Sequence, residues 1–473
     1  MSKDDSSISK DVAFGFLPAQ KKDRIFGRWD LTFVLLGIAV SCFALLTGAY
    51  AGMWLNAKEA TAVILFGNSL PVLLIMPIAI YFTRFGIDTF IGFRSSLGYL
   101  GSNIFYFIFM VLTIGYMSIA LFMSGQALVK IASLTSLPEF FTVTKTGAPF
   151  FAIMLFILVF MATYRGPLFI RKFNKVGVPA VILVMFGITM VLIFKEGIGN
   201  IFSLNPAEPY EEWSRSFMTA MEVNIGLGFS WLPYIGQYAR LAKTEKGSFK
   251  AGFLSYGVLV VVVAGLGALS TLVVSSLDPT DWMFVIGGKI GGVIGLILLT
   301  LGNVTAAIFL MYSQAISFKT VFPKKAWLVA LATAIPTMFL LLSSAFYDAF
   351  DSFITVIAYI MAIFGGIIIS DFFFVKKQDI SLRDLYDTKG AYKYWHGINP
   401  SAVVSFIAGT ITYWSLYNPI LDTASKLFEY TSAGIPTYFV SLIVYYISSK
   451  YIFNYAVDRK LPKQLATTIN KKV

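Results

Sequence analysis

The sequence predicts an all-α, polytopic membrane protein, and three observations predict it. Of its 473 residues, 57% are hydrophobic and only 13% carry charge. A soluble chain of this length could not bury so much apolar surface, so the bilayer must be its solvent. Apolar runs of about 18 to 25 residues also recur along the whole length, separated by short charged loops. Finally, Lys and Arg crowd into alternate loops, as they do when successive loops lie on opposite sides of a membrane.

Twelve transmembrane helices are expected, at 31–54, 60–83, 98–126, 147–164, 177–194, 217–239, 251–275, 283–316, 326–346, 352–375, 399–418 and 432–455. They leave no room for a second folded domain. Of the 37 Lys and Arg residues, 30 fall on one side: the N-terminal tail, the loops holding Arg84 and Arg94, Arg165 to Lys175, Arg240 to Lys250, Lys319 to Lys325 and Lys376 to Lys393, and the C-terminal tail. The other side has only Lys58, Lys130, Lys145, Lys195, Arg215, Lys289 and Lys426. This bias places both termini in the cytoplasm, and one omitted or invented span would scramble it. The expected organisation is a cytoplasmic tail (1–28), ten spans (29–375), a cytoplasmic loop (376–398), two further helices (399–455) and a cytoplasmic tail (456–473). The polar first 28 residues run straight into a full span, so no cleavable signal is expected.

Composition also excludes functions. The net charge of +12 could suggest nucleic acid, but its distribution follows membrane topology. The one cysteine, Cys42, permits no internal disulfide, and the lone histidine, His396, falls in a loop, AYKYWHGINP. There is no His cluster for a metal and no Ser/His pair for hydrolysis, so an enzyme is not expected. Glu222 and Lys289 stand near the outer ends of spans 6 and 8, and Asp371 near the inner end of span 10; all three are expected at the interface. Proton relay is therefore disfavoured, whereas a metal cation held by carbonyls and hydroxyls remains open.

Two spans look interrupted. Span 1, VLLGIAVSCFALLTGAYAG, carries Gly37, Ser41, Thr47 and Gly48; span 6, VNIGLGFSWLPYIGQY, carries Gly226, Gly228, Pro233 and Gly236. Such paired breaks at corresponding positions of two halves mark an inverted-repeat transporter, whose unwound backbone serves substrate and ion. Gly and Pro also occur in membrane helices for close packing and kinks. Span 8 brings Thr300, Asn303 and Thr305 into an apolar run; Asn303 must face the interior, where it either joins helices or reads a ligand, and Thr305 could help hold an ion. Span 3 carries Thr113 and a central Tyr116, whose ring is either packing or a platform for a flat heterocycle.

Three stretches resemble the nucleobase:cation symporter family, which includes the purine-cytosine, hydantoin and allantoin permeases. They are TGAYAGMWLNAKEATAVILFGNSLP with RFGIDTFIGFRSSLGYLGSN (Gly67, Asn68, Arg94, Gly98, Gly101, Ser102), QYARLAKTEKGSF (Tyr238, Arg240) and MYSQAISFKTVFPKK (Tyr312, Ser313). The resemblance covers nearly the full length. It implies a five-plus-five inverted-repeat core of the amino acid-polyamine-cation superfamily type, with repeats at about 29–195 and 215–375, plus two C-terminal helices. It also implies a planar ring held between Tyr116 and a span 6 position, Gly228 or Phe229, with hydrogen bonds from Thr113, Ser230 and Asn303. Sodium would lie between span 1 carbonyls near Ala39 and Cys42 and the Thr305 hydroxyl.

The expected function is secondary active symport of a nucleobase or related heterocycle with sodium, in the cytoplasmic (inner) membrane, by a monomer without an organic cofactor or nucleic-acid partner. The alternatives are an amino-acid or other small-solute transporter of the same fold, and proton-coupled uptake.

Overall fold

The computed structural model describes residues 16–39, 42–165, 183 and 186–454. These are overwhelmingly helical. In chain order the principal helices are α1 (Arg28–Ala39), α2 (Cys42–Trp54), α3 (Ala57–Phe85), α4 (Tyr99–Ala132), α5 (Thr144–Tyr164), α6 (Trp213–Ser230) and α7 (Leu232–Ala239). They continue with α8 (Glu245–Val274), α9 (Pro279–Val321), α10 (Trp327–Ala332), α11 (Phe350–Val375), α12 (Pro400–Leu416) and α13 (Gly434–Ile447). Among the described residues, six helices (α3, α4, α5, α8, α9 and α11) are long and apolar enough to cross a membrane. Arg28–Gly37 and α2, set at 67° to each other, pass the same test as a pair.

Local chemistry sets many boundaries. Asn56 caps α3 by accepting from the backbone N–H groups of Lys58 and Glu59, while the Glu59 carboxylate accepts from Asn56 N–H. Gly98 opens α4 at φ 83°, where an added Cβ would sit 2.4 Å from the Gly397 carbonyl oxygen. Small residues bring α2 and α8 into backbone contact: a Cβ on Gly48 would lie 1.7 Å from the Ala264 oxygen, and one on Gly52 2.2 Å from that of Ala268. Without a hydrophobic force between helices in lipid, such close approach is what holds them together.

Several expectations change. The ninth span, expected unbroken over 326–346, is α10 followed by short turns at Thr337–Leu340 and Ala345–Asp348, because Pro336 brings no N–H to continue the helix. The eighth lengthens to α9 and kinks at Gly288, φ 66°. Glu222 and Asp371, expected at the interface, are buried inside the protein at 0% and 1% exposure. Glu222 accepts from Ala433 N–H (2.9 Å) and Gly434 N–H (3.0 Å), where the first turn of α13 has spare donors. Asp371 pairs with Lys376 and accepts from the Tyr445 hydroxyl (2.8 Å) and Ser95 (3.1 Å). Lys289 is exposed. The first half of the fifth expected span, and Ser41 in the first, lie outside the described residues.

Candidate functional site

The break in the sixth expected span falls at Trp231, between α6 and α7. Pro233 supplies no backbone N–H, and the chain tightens so that Tyr234 N–H bonds the Trp231 carbonyl, three residues back (3.1 Å). The glycines of this stretch have another role. A Cβ on Gly226 would meet Ile354 of α11 at 3.0 Å, one on Gly228 would meet Pro71 of α3 at 2.9 Å, and one on Gly236 would meet the Thr89 hydroxyl at 2.5 Å. Proline makes the break; the glycines let three neighbours approach it.

A small cavity opens beside this break. Its walls are Phe43 of α2, Tyr116 of α4, Leu227 and Ser230 of α6, Trp231, Tyr234 of α7, and Ala306 and Leu310 of α9. Aromatic rings fix one another around it. Phe43 and Tyr116 have centroids 4.5 Å apart, and Phe353 meets Tyr116 edge-on at 5.6 Å. The Trp231 indole lies flat on Tyr256 of α8 at 4.3 Å and 4°. Three wall residues carry a buried polar atom without a hydrogen-bond partner: the Tyr116 and Tyr234 hydroxyls and the Trp231 indole N–H. The two hydroxyls lean towards Ser230 and Thr113 respectively without reaching hydrogen-bond geometry. These three atoms are buried within the walls, and the surface that the cavity presents is apolar.

The expected site residues divide. Tyr116 and Ser230 line the cavity, and Ser230 donates its own proton to the Leu227 carbonyl (2.7 Å). Thr113 is buried one turn before Tyr116 and donates to the Phe109 carbonyl (2.7 Å). Asn303 is buried one turn before Ala306, its amide nitrogen unpartnered. Gly228 and Phe229, expected to offer a stacking face, are not on the wall: Gly228 abuts α3, and Phe229 stacks on Tyr438 of α13 at 5.7 Å and 20°. Ala39 ends α1, Cys42 begins α2, and both are buried. The buried Thr305 hydroxyl donates to Leu301 (2.7 Å), which leaves its lone pairs free to meet a cation. The sequence reading missed Phe43, Leu227, Trp231, Tyr234 and Leu310. Trp231 and Tyr234 could have been found, since they flank Pro233 three residues apart.

A second constellation holds α7 from one side. The Thr89 hydroxyl donates to the Pro233 carbonyl (2.8 Å) and accepts from Gly236 N–H (3.0 Å). Gln237 donates to Ser317 of α9 (2.8 Å) and accepts from Ser313. Just before Thr89, the fully buried Asp88 lies in the field of Arg240 and Arg94, themselves 2% and 5% exposed. Burial pushes its carboxyl up to about 6 despite the pull of Arg240.

Comparison with known proteins identifies the family. The sequence profile described as permease for cytosine/purines, uracil, thiamine, allantoin matches residues 18–433. The chain is 22% identical to a hydantoin permease of Microbacterium maritypicum over 87% of its own length and 89% of the relative's. It is 23% identical to the purine-uracil permease NCS1 of Arabidopsis thaliana, covering 97% and 79%. Its fold is similar to Mhp1, a nucleobase-cation-symport-1 family transporter solved closed with bromovinylhydantoin bound, at a TM-score of 0.76 and 19% identity over 94% of this chain and 96% of that one. The profile spans most of the 473 residues, so the chain belongs to the family of permeases for cytosine, purines, uracil, thiamine and allantoin, and is a multi-pass membrane transporter rather than an enzyme.

Proposed function

We propose that the chain is a symporter that imports a nucleobase or related small heterocycle together with sodium, across the cytoplasmic membrane and with both termini inside. The observation that carries this reading is the cavity at the α6–α7 break, walled by fixed aromatic rings. Flat rings favour aromatic faces, and a few buried hydrogen bonds orient them. Tyr116 supplies one face and Trp231 takes the place that the sequence suggested for Gly228 or Phe229; Ser230, Thr113 and Asn303 add polar contacts. The cavity is smaller than a heterocycle, so its walls must part on binding, as alternating access requires.

Sodium, a hard cation that takes oxygen ligands, is cargo here. The last carbonyls of α1 at Ala39, those near Cys42, and the Thr305 lone pairs suit it. Helix-terminal carbonyls lack intrahelical partners, and Thr305 has already given away its proton. The core is read as two inverted repeats of five helices, with α12 and α13 as accessory helices, working as a monomer. Protein reconstituted in vesicles is expected to accumulate labelled uracil or hydantoin under an inward sodium gradient and not with choline in place of sodium. Equal accumulation in choline would remove sodium from the mechanism.

A further inference from the structure

Gly67 and Asn68 of α3, which the sequence singles out, line no wall of the cavity. They belong to a buried chain of amides beside it. Asn68 donates to the side-chain oxygen of Asn224 in α6 (2.8 Å), and Asn224 donates in turn to the Thr47 backbone carbonyl of α2 (3.3 Å). Asn68, Asn224 and Thr47 are all fully buried. The relay thus runs from α3 through α6 to α2, and it stops one turn short of the cavity on both sides. Phe43 stands one turn before Thr47 in α2, and Leu227 one turn after Asn224 in α6.

An amide at membrane depth is costly, and this pair adds little stability in exchange. Asn68 already donates to Ile64 of its own helix (2.9 Å), as Asn224 does to Ala220 (2.9 Å), and the Asn68 side-chain oxygen has no hydrogen-bond partner. Well-packed aliphatic side chains would hold the helices together at lower cost. What the amides add is direction. The glycine contacts between α3 and α6 set only their separation: a Cβ on Gly67 would lie 2.7 Å from the Asn224 Cβ, and one on Gly228 3.0 Å from the Asn68 backbone oxygen. A smooth glycine face leaves α6 free to turn about its axis, whereas a hydrogen bond weakens steeply as its angle is lost. Such a turn would carry Leu227 and Ser230 off the wall they form.

On the reading that this cavity is the substrate site, we propose that Asn224, itself held by Asn68, is the positioning residue that fixes the rotation of α6. It thereby fixes the faces that Leu227 and Ser230 present to Phe43 and Tyr116. Neither amide touches the guest, so their loss shows in affinity rather than in the amount of folded protein.

The test measures binding and uptake of uracil and hydantoin in sodium, on full-length variants purified and reconstituted in vesicles. Asn224→Ala and Asn68→Ala are each expected to weaken binding roughly tenfold, the effect of a misplaced wall. The maximal uptake rate per folded transporter and the thermal unfolding transition are expected to stay near wild type. The double variant is expected to bind no more weakly than Asn224→Ala alone, because the two amides act as one relay. Ser69→Ala removes another bond between helices, from Ser69 of α3 to the Gly257 carbonyl of α8 (2.6 Å), without touching α6, and is expected to bind as wild type does. Unchanged affinity in the alanine variants, with or without a drop in folded protein, would overturn the inference. So would losses that add in the double variant, or an equal loss in Ser69→Ala, because the amides would then be ordinary helix packing. Should Asn224→Ala not fold, Asn68→Ala breaks the same relay from α3. A wild-type protein that binds neither ring would instead bring down the proposed function, and this inference with it.

Discussion

At the scale of single residues, what matters is whether a side chain's polar atoms are already spent. Tyr116 is held on two sides, by Phe43 at 4.5 Å and Phe353 at 5.6 Å, and its hydroxyl is unspent. Tyr116→Ala should therefore abolish uptake while the amount of folded protein in the membrane stays near wild type. Tyr116→Phe, which keeps the ring, should lower affinity by roughly tenfold, the cost of one buried hydrogen bond. Full uptake by the alanine variant would reduce the residue to packing. Thr305 is the converse case, a hydroxyl whose proton is spent on Leu301 and whose lone pairs are not. Thr305→Ala should raise the sodium concentration needed for half-maximal uptake, and Thr305→Ser should restore it; sodium-titrated uptake at fixed substrate decides. An unchanged sodium response would take Thr305 out of the ion site.

At the scale of elements, buried charge works as a joint. Glu222 binds two backbone N–H groups at the start of α13 and so ties α6 to that helix. Glu222→Gln replaces a carboxylate oxygen by an N–H₂ that faces donors. It should lower the temperature of thermal unfolding by several degrees, since one unsatisfied buried group costs about 1–3 kcal/mol. An unmoved transition would mean the joint carries no energy. The same scale shows what the sequence could and could not reveal. Pro233 announced its break because the missing N–H is a property of the residue itself. Gly226, Gly228 and Gly236 looked like unwinding, yet each answers to a neighbour far along the chain, Ile354, Pro71 or Thr89, which no local pattern contains. Phe229 is expected at the site, yet Trp231 rather than Phe229 lines the cavity, for a related reason. Side chains turn by about 100° per residue around a helix, so a small error in register moves an aromatic from the cavity to the α13 side, where Phe229 meets Tyr438. Glu222 and Asp371 were placed at the interface because their partners, α13 and Lys376 with Tyr445, become visible only once the helices are assembled.

For the whole molecule, the question is how the cavity is opened to one side at a time. The segment after α3 carries Thr89 and Asp88, and it grips α7 directly below the break: Thr89 bonds both the Pro233 carbonyl and Gly236 N–H, and Thr83 of α3 bonds the Ala239 carbonyl (2.8 Å). Gln237 joins α7 to α9, and the pairing of Phe26 with the chain at Leu241 and Lys243 closes the same end. Arg84, Arg94, Arg240 and Lys243 all belong to this end, on the side that charge bias assigns to the cytoplasm. On the proposed reading, a guest leaves towards the cytoplasm when α7 parts from Thr89. Thr89→Val removes both bonds without changing the shape of the side chain, and so takes away two cross-links between this segment and α7 while the end is closed. The closed arrangement should lose about 1–3 kcal/mol, shifting the balance towards an open cytoplasmic end by roughly tenfold or more. The readout is alkylation of a cysteine introduced as Ala239→Cys, a position only 2% exposed, with the native Cys42 also buried. In Thr89→Val the introduced thiol should react roughly tenfold faster with a membrane-impermeant reagent added from the cytoplasmic side, and no faster from outside. Equal rates in both backgrounds would mean that α7 is held shut by packing alone, and that the Thr89 bonds take no part in opening.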